Sequence, residues 1–578
     1  MDDLTTEMNG WIRELATAVE TADWNAAAAL FGDPCYWRDL VLFSGTIVTV
    51  ERNGIARALE DRMPGAGAAE WVLSGPARQV EDWVEAEFTV RTKRASGRGH
   101  VRLKDGKAWT FVTYQTELHD RPWAEGRNRP TGHRQGALPM RDHWADERRA
   151  ETARLGHEDQ PHVLVIGGGQ AGMALGARLN ALGLSNIVLE KRARAGDSWR
   201  DRYESLCLHD PVWYDHMPYI PFPAGWPVFT PKEKMADWLE MYARVMDLNY
   251  WTGTRAVSAV RDGDRWTVTV ARAGAELVLR PRELVFATGM SGYPRVPEIA
   301  GADSFEGRQI HSTEYRSGKD HKGARAVVIG ANTSAHDICH DLWEEGVPVT
   351  MIQRSSTLIA RSANVVGNLL APLYSEEALA AGISTEQADF LATTWPWAVM
   401  TDRVKPLAAK MQAQDADLHD RLRAAGFQLD NGWDGSGIPL KSARQGGGFY
   451  IDVGASDLIA DGKIGLASGQ PIDRIDPDAV VMEDGTRLPC DLIVYATGFG
   501  SMNQFVRDIC GADVAEQVGQ VWGLGSDTPK DPGPWEGELR NMWKPTAVDG
   551  LWFHGGNLAQ SRHYSALLAM QLAARASI

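Results

Sequence analysis

Cysteine is scarce in this sequence. Cys35, Cys207, Cys339, Cys490 and Cys510 are scattered, odd in number and form no C-x-x-C pair. That excludes a disulfide framework, a cysteine-based zinc site and the redox dithiol a disulfide reductase needs, and no metal site is expected. Positive charge is short as well: 60 Lys and Arg stand against 76 Asp and Glu, a net charge of −16. Nucleic acid is a poor partner for such a chain, because phosphate binding needs a basic face. No apolar run approaches the roughly 20 residues of a membrane helix; runs such as 163–166 and 492–495 have strand length. Met1 is followed by Asp2, Asp3 and Glu7, with no basic start and no apolar stretch. No signal peptide and no membrane are therefore expected, and the cytoplasm is the expected compartment.

What is present is length and pattern. A chain of 578 residues exceeds one hydrophobic core and predicts three or four domains. Over the first 120 residues Trp11, Leu15, Ala18 and Val19 fall at helical spacing, and an alternating strand-like run follows from Val80 to Thr89. Asp105-Gly106, flanked by Val101–Leu103 and Ala108–Val112, predicts a hairpin, so a small α+β domain is expected. Residues 121–158, with eight Arg and Pro122, Pro130 and Pro139, read as a linker over a surface. From residue 161 the pattern turns α/β, with a further hairpin about Asp262-Gly263-Asp264. Residues 361–445 are rich in helix formers and read as a helical insert.

The first chemical motif is a strand, Val163–Ile166, running into Gly167-Gly168-Gly169-Gln170-Ala171-Gly172. Gly167 permits a tight turn, Gly169 lets backbone approach a pyrophosphate, and Gly172 lets the helix pack close. Glu190, followed by Lys191, ends the next strand where a carboxylate accepts ribose hydroxyls. The plan repeats at Val327–Ile329, Gly330, Asn332, Thr333, Ser334 and Ala335, with Asn332 at the middle glycine because Asn tolerates positive φ. Here the next strand ends in Gln353, Arg354, Ser355 and Ser356 and carries no acid. A carboxylate would repel a 2′-phosphate while guanidinium and hydroxyls bind it, so NADP is expected over NAD. Two further strands end in Ala287-Thr288-Gly289 and Ala496-Thr497-Gly498, ends that let the chain cross between domains or pass close to a cofactor.

Between the two turns, Phe305-Glu306-Gly307 continues through His311 to Tyr315 as F-x-G-x-x-x-H-x-x-x-Y. This resembles the fingerprint of class B flavin-dependent monooxygenases, the flavin-containing monooxygenase family, over about residues 160 to 575. Baeyer–Villiger relatives usually carry Trp followed by Pro or Asp where Tyr315-Arg316 stands. Gly196 to Arg200, with Trp199, resembles the family's flavin-contacting segment, and Leu551 to Tyr564, with Asn557, its closing flavin-side stretch. Leu208-His209 is similar to plant auxin-forming members. The N-terminal part is similar to an NTF2/SnoaL-like cone on thin motif grounds, Tyr36 to Asp39, and a structural role is expected for it.

The resemblance implies an α/β fold class with two Rossmann-like dinucleotide-binding domains, for FAD and NADPH, preceded by a small α+β cone domain. The expected division is 1–120 cone, 121–158 linker, 159–312 and 455–578 FAD-binding, and 313–454 NADPH-binding with the helical insert. It implies a monooxygenase that inserts one O2 atom into a small lipophilic or aromatic substrate through a C4a-(hydro)peroxyflavin, by N- or S-oxygenation or oxidative decarboxylation. Baeyer–Villiger oxygenation of a ketone and a redox-inert nucleotide-binding sensor stand as alternatives. The catalytic candidates are His209 and Thr333. The cofactor candidates are the glycines and strand-end residues named above together with Gln170, Trp199, Arg200, Leu208, Ser334, Ser355 and Asn557. Trp395, Trp397, Phe427, Trp433, Phe449, Tyr450, Trp522, Trp535 and Trp543 are candidates for an apolar substrate pocket. The cone also offers a surface for a homodimer.

Overall fold

A computed structural model describes residues 3–64, 69–132, 136–137 and 139–577. Met1 and Asp2, on which the leader reading partly fell, and residues 133–135 and 138 of the expected linker lie outside them. The chain opens with the helix Asp3–Glu20, whose buried Met8, Trp11, Ile12 and Leu15 keep one face. That face packs on a seven-stranded sheet ordered Ile47–Glu51, Phe31–Leu40, Lys107–Leu118, Ala95–Lys104, Trp83–Arg91, Glu70–Leu73, with Arg78–Val80 also on Trp83–Arg91. The expected hairpin forms: Lys104 opposes Lys107 across Asp105 and Gly106, both at positive φ, as a two-residue turn requires.

Strand alternation gives this sheet two different faces. Phe88, Val101, Leu103 and Phe111 point to the helix, where Phe88 stacks on Phe111 at 5.5 Å. Arg38, Glu85 and Arg102 occupy the other face and are also buried. They are buried because the insert covers them. Arg38 donates to Thr393 O (2.6 Å) and pairs with Glu538 (2.7 Å), while Arg102 donates to Thr394 Oγ1 (2.8 Å). Residues 121–158 carry a helix, Trp144–Arg154, with no buried residue.

Two five-stranded sheets, each wholly parallel, carry the two glycine turns, accompanied by two three-stranded antiparallel sheets and a parallel strand pair. The first is ordered Tyr250–Trp251, Asn186–Leu189, Val163–Ile166, Glu283–Phe286, Leu551–Phe553. The second is ordered Arg308–His311, Leu492–Tyr495, Ala326–Ile329, Val349–Gln353, Gly465–Ser468. The four central strands Val163–Ile166, Glu283–Phe286, Ala326–Ile329 and Leu492–Tyr495 are buried at every residue, as parallel strands covered on both faces must be. The helix Leu558–Ala576 lies against Gln170–Ala181.

The division expected at 312/313 and 454/455 is displaced. Arg308–His311, Gly465–Ser468 and Leu492–Tyr495 all hydrogen-bond into the second sheet. The chain crosses instead at the two Ala-Thr-Gly segments, which run side by side: Arg295 N–H donates to Gly498 O (3.1 Å) and Gly500 N–H to Tyr293 O (2.9 Å). Gly289 and Gly498 take φ of +81° and +83° there, a conformation costly for any residue with a Cβ. Residues 362–445 are mainly helical, as their composition predicts, and include Thr385–Thr393, Trp397–Gln414 and Gly437–Gln445. Among the described residues no helix is long and apolar enough to cross a membrane.

Candidate cofactor and substrate site

At the first turn Gly167 has φ +114°, and a Cβ there would stand 2.3 Å from Ala287 O. A Cβ on Gly172 would stand 2.0 Å from Gly167 O, so helix and turn touch through backbone alone. Gly169 differs. It caps the helix Gln170–Ala181 in extended conformation (φ −72°), and a Cβ on it would meet nothing within 4 Å. Its side therefore opens on free space in front of the first helical N–H groups, the geometry that receives an anion. Glu190 is buried at the adjoining strand end, where it accepts Gly168 N–H (3.2 Å) and Arg192 N–H (2.8 Å). Lys191 is exposed and borders an open groove with Arg192, Arg255 and Arg272.

The second turn repeats the backbone with different chemistry. Gly330 (φ +133°) has the same close approach, 2.3 Å from its would-be Cβ to Ala496 O. Asn332 does not sit at positive φ as expected: it is extended (φ −107°), like Gly169, and caps the helix Thr333–Glu344. Asn serves because the position needs room and no left-handed backbone. Ala335 takes the third glycine's place and is buried, and Ser334 is half-buried in the first helical turn. Gln353 is no phosphate ligand. It is buried and exchanges two hydrogen bonds with Gln428, Nε2–H to Gln428 O (2.9 Å) and Oε1 from Gln428 N–H (2.8 Å). Arg354, Ser355 and Ser356 are exposed beside it.

Three cations that sequence reasoning missed gather at this strand end. Lys530 faces Lys441, Arg354 and Arg295, and burial together with these like charges holds its ammonium below the usual lysine range, against the pull of Asp430. Lys441 is pinned by Asp430 (2.7 Å), which also faces Ser356. No local pattern marks these residues, because they lie some 60 to 175 positions from Arg354 in a chain of 578 and meet it only on folding.

Beside the helix Thr333–Glu344 lies a cavity of about 250 Å³ whose wall includes Leu208 and His209 from the first unit, Thr333 and Asp337 from the second, and Ile451. It brings the two catalytic candidates, His209 and Thr333, to one space. Thr333 Oγ1 already donates to Phe449 O (3.0 Å), so its hydroxyl can still accept but its proton is placed. Asp337 accepts from Tyr203 Oη (2.6 Å), and burial raises its carboxyl above the usual range. Thr288 Oγ1, at the first crossing, is buried with no hydrogen-bond partner among the described residues. Thr497 Oγ1, at the second, donates to Arg295 O. Asn557 caps the last helix through Gln560 N–H and donates to Tyr214 Oη (3.1 Å).

Several candidates are placed elsewhere. Arg200 is occupied by Asp197, Asp237 and Glu240, and Trp199 packs half-buried against the cluster around Tyr242. The aromatic residues do not share one pocket. Trp395 packs on Trp83 and Trp109 of the N-terminal sheet, Tyr450 stacks on His336, Trp535 bonds Glu51, and Trp543 stacks on Tyr564. Rings were available to several cores, and composition cannot say which core takes each.

The profile of the pyridine nucleotide-disulphide oxidoreductase family matches residues 164–428. Against the indole-3-pyruvate monooxygenase YUCCA1 of Oryza sativa subsp. japonica the chain is 30% identical over 343 residues, 59% of this chain and 77% of that protein. This chain belongs to the flavin monooxygenase family. To YUCCA4 of the same plant, also an indole-3-pyruvate monooxygenase, it is 34% identical over 212 residues, 34% of this chain and about half (48%) of that protein's length. Its fold is similar to that of open cyclohexanone monooxygenase (TM-score 0.51, 19% identity, 72% of this chain and 88% of that one). It is also similar to OTEMO solved with FAD and NADP (TM-score 0.50, 19% identity, 72% and 84%). Within the family, the five cysteines of this flavin monooxygenase are all free.

Proposed function

We propose that this flavin monooxygenase uses NADPH and bound FAD to insert one atom of O2 into a small lipophilic or aromatic substrate. The observation that carries the reading is the pairing of two like turns with unlike strand ends: a carboxylate, Glu190, at the first, and Arg354 with Lys441 and Lys530 at the second. The residues fit the two groups. At the first turn the open side of Gly169 and the bare helix N-terminus suit the pyrophosphate of FAD, and Glu190 suits its ribose hydroxyls. Thr288 Oγ1, buried without a partner among the described residues, is a polar atom that a bound flavin would satisfy. At the second turn Arg354, Ser355, Lys441 and Lys530 suit the 2′-phosphate that separates NADPH from NADH.

When bound, FAD supplies the electron path from NADPH to O2 and the oxygen-transfer chemistry itself. The chain's share is to orient and to exclude water. His209 and Thr333 approach the same cavity from the two units, so a substrate held there is positioned between them. The N-terminal sheet, NTF2/SnoaL-like in this reading, has a structural role: its ring-filled interior leaves its buried charged face to hold the insert. The names of the relatives direct the first substrate trial to indole-3-pyruvate, an aromatic 2-oxo acid.

The test begins with the purified protein's visible absorbance and its anaerobic reduction by NADPH and by NADH, followed by air and substrate. Flavin absorbance, faster reduction by NADPH and an oxygenated product in step with NADPH oxidation are expected. A protein without flavin, or NADPH oxidation that yields only hydrogen peroxide across the substrate panel, would sink the reading.

A further inference from the structure

The helix Thr385–Thr393 of the insert is tied by hydrogen bonds to the N-terminal sheet and, through one acid, to the last helix. On the sheet side Arg38 donates to Thr393 O (2.6 Å), and Arg102 donates to Thr394 O and Oγ1 (2.9 and 2.8 Å). Gln387, in the first turn of the helix, donates to Glu87 (2.6 Å) and accepts from Arg98, whose guanidinium lies 3.7 Å from the ring centre of Phe390. On the other side stands Asp389. It accepts Nε–H and Nη2–H of Arg562 (2.8 and 2.6 Å) and the Tyr374 hydroxyl (2.9 Å), and both members of the ion pair are buried.

The two partners of Asp389 converge on one residue, Tyr214. Arg562 Nη1 donates to Tyr214 O and to His216 O (2.8 and 2.6 Å), and the Tyr374 ring meets the Tyr214 ring edge to face at 4.8 Å. The Tyr214 hydroxyl accepts from Asn557 (3.1 Å), the cofactor candidate that caps the last helix. Five residues earlier in the same loop stands His209, at the cavity wall. A loop has no strand ladder to satisfy its carbonyls, so the Arg562 bonds fix its path. A guanidinium is a rigid planar fork: with Nε and Nη2 on the carboxylate, Nη1 can point only at the loop. An amide at 389 offers one acceptor oxygen in place of two, and Arg562 is then no longer held in that orientation.

We propose that Asp389 is a positioning residue through which the N-terminal domain fixes Tyr214, and with it Asn557 and the loop that carries His209. Resting on the monooxygenase reading, Asn557 and His209 are groups that meet flavin and substrate, so the N-terminal domain governs oxygenation without touching the reacting atoms. The connection runs from Arg98 and Arg102 of the sheet to Gln387 and Thr394, through Asp389 to Arg562 and Tyr374, and so to Tyr214.

Hydrogen–deuterium exchange of the full-length protein tests the connection without flavin or turnover. In D389N the amides of residues 209–216 are expected to exchange about tenfold faster than in wild type, while those of the helix Thr333–Glu344 keep their rates. R102M, at the sheet end, is expected to speed the same loop about threefold. Unchanged exchange of the loop in D389N overturns the role of Asp389, and unchanged exchange in R102M overturns the part of the N-terminal domain. If D389N does not fold, Y374F takes its place, since it removes one bond to Asp389 and keeps the ring, and about threefold faster exchange is expected of it. Turnover of the flavin-loaded protein separates positioning from plain support. D389N should yield about tenfold less oxygenated product per NADPH consumed, with KM for NADPH within about twofold, and D389E, which keeps the carboxylate, should recover most of that yield. A wild-type yield in D389N, or a yield lost equally in D389E, overturns the positioning role. Absent flavin or product in wild type would sink the monooxygenase reading instead and leave the exchange result standing.

Discussion

The two glycine turns of this chain share a backbone and differ in what surrounds it. Gly167 and Gly330 each bring a would-be Cβ within 2.3 Å of a carbonyl, Ala287 O or Ala496 O, at the start of a crossing segment. Gly169 and Asn332 are both extended and both cap a helix. The difference lies at the strand ends. Glu190 receives two backbone N–H groups from its own turn, whereas Gln353 is turned away to Gln428 and leaves Arg354 outward among cations from the insert and from Lys530. The common element is steric and local. The distinguishing element is electrostatic and assembled from distant chain.

The strongest way to break the common element is a methyl at the turn. Gly167→Ala and Gly330→Ala each force a Cβ onto backbone at a positive φ, and a loss of about 3 kcal/mol or more in urea unfolding is expected, with bound flavin lost from Gly167→Ala. Near-native stability in both would show that the turns relax freely.

The distinguishing element is broken by Arg354→Ala. Arg354 is exposed, so the fold should be kept, while KM for NADPH rises about tenfold or more and KM for NADH stays put, one charge-assisted hydrogen bond being lost. Equal changes for the two nucleotides would remove Arg354 from the phosphate site. Gln353→Glu sharpens the contrast: it deletes the bond to Gln428 O and adds a charge beside Arg354, so the NADPH preference should fall with a smaller loss of stability, about 1–2 kcal/mol.

The buried Asp215 gives a pH-dependent effect of intermediate size. Asp215 is raised above its unfolded value of about 4, so the folded state holds a proton there that the unfolded chain releases. Its contribution is present at low pH and lost as pH rises through the folded value. Relative to wild type, Asp215→Asn should therefore gain stability at about pH 8 compared with about pH 5, read from thermal midpoints at both. The smallest effect is expected of Asn332→Gly, within about 1 kcal/mol, because φ of −107° asks nothing of glycine.

Much of this was legible in the sequence. Four apolar residues entering a glycine turn admit one outcome, since the turn has no room for a side chain. Helical spacing at Trp11, Leu15, Ala18 and Val19 and Asp105-Gly106 between apolar strands were as direct. The crossing points were less so. Ala287-Thr288-Gly289 and Ala496-Thr497-Gly498 were visible as special ends, yet the strand Arg308–His311 was assigned to the first unit, because four residues carry no record of which sheet they join.

By itself the sequence determined the turns, the helix that follows each, and the sign of charge at each strand end, because these depend on sterics and charge within a few residues. Only the tertiary structure decided which Trp joins which core, that Lys441, Arg354 and Arg295 all face Lys530, and that Arg38 and Arg102 hold the insert. It alone showed Asp215 buried with no hydrogen-bond partner among the described residues. Those outcomes depend on distances between residues far apart in the chain, and such distances exist only once the sheets have packed.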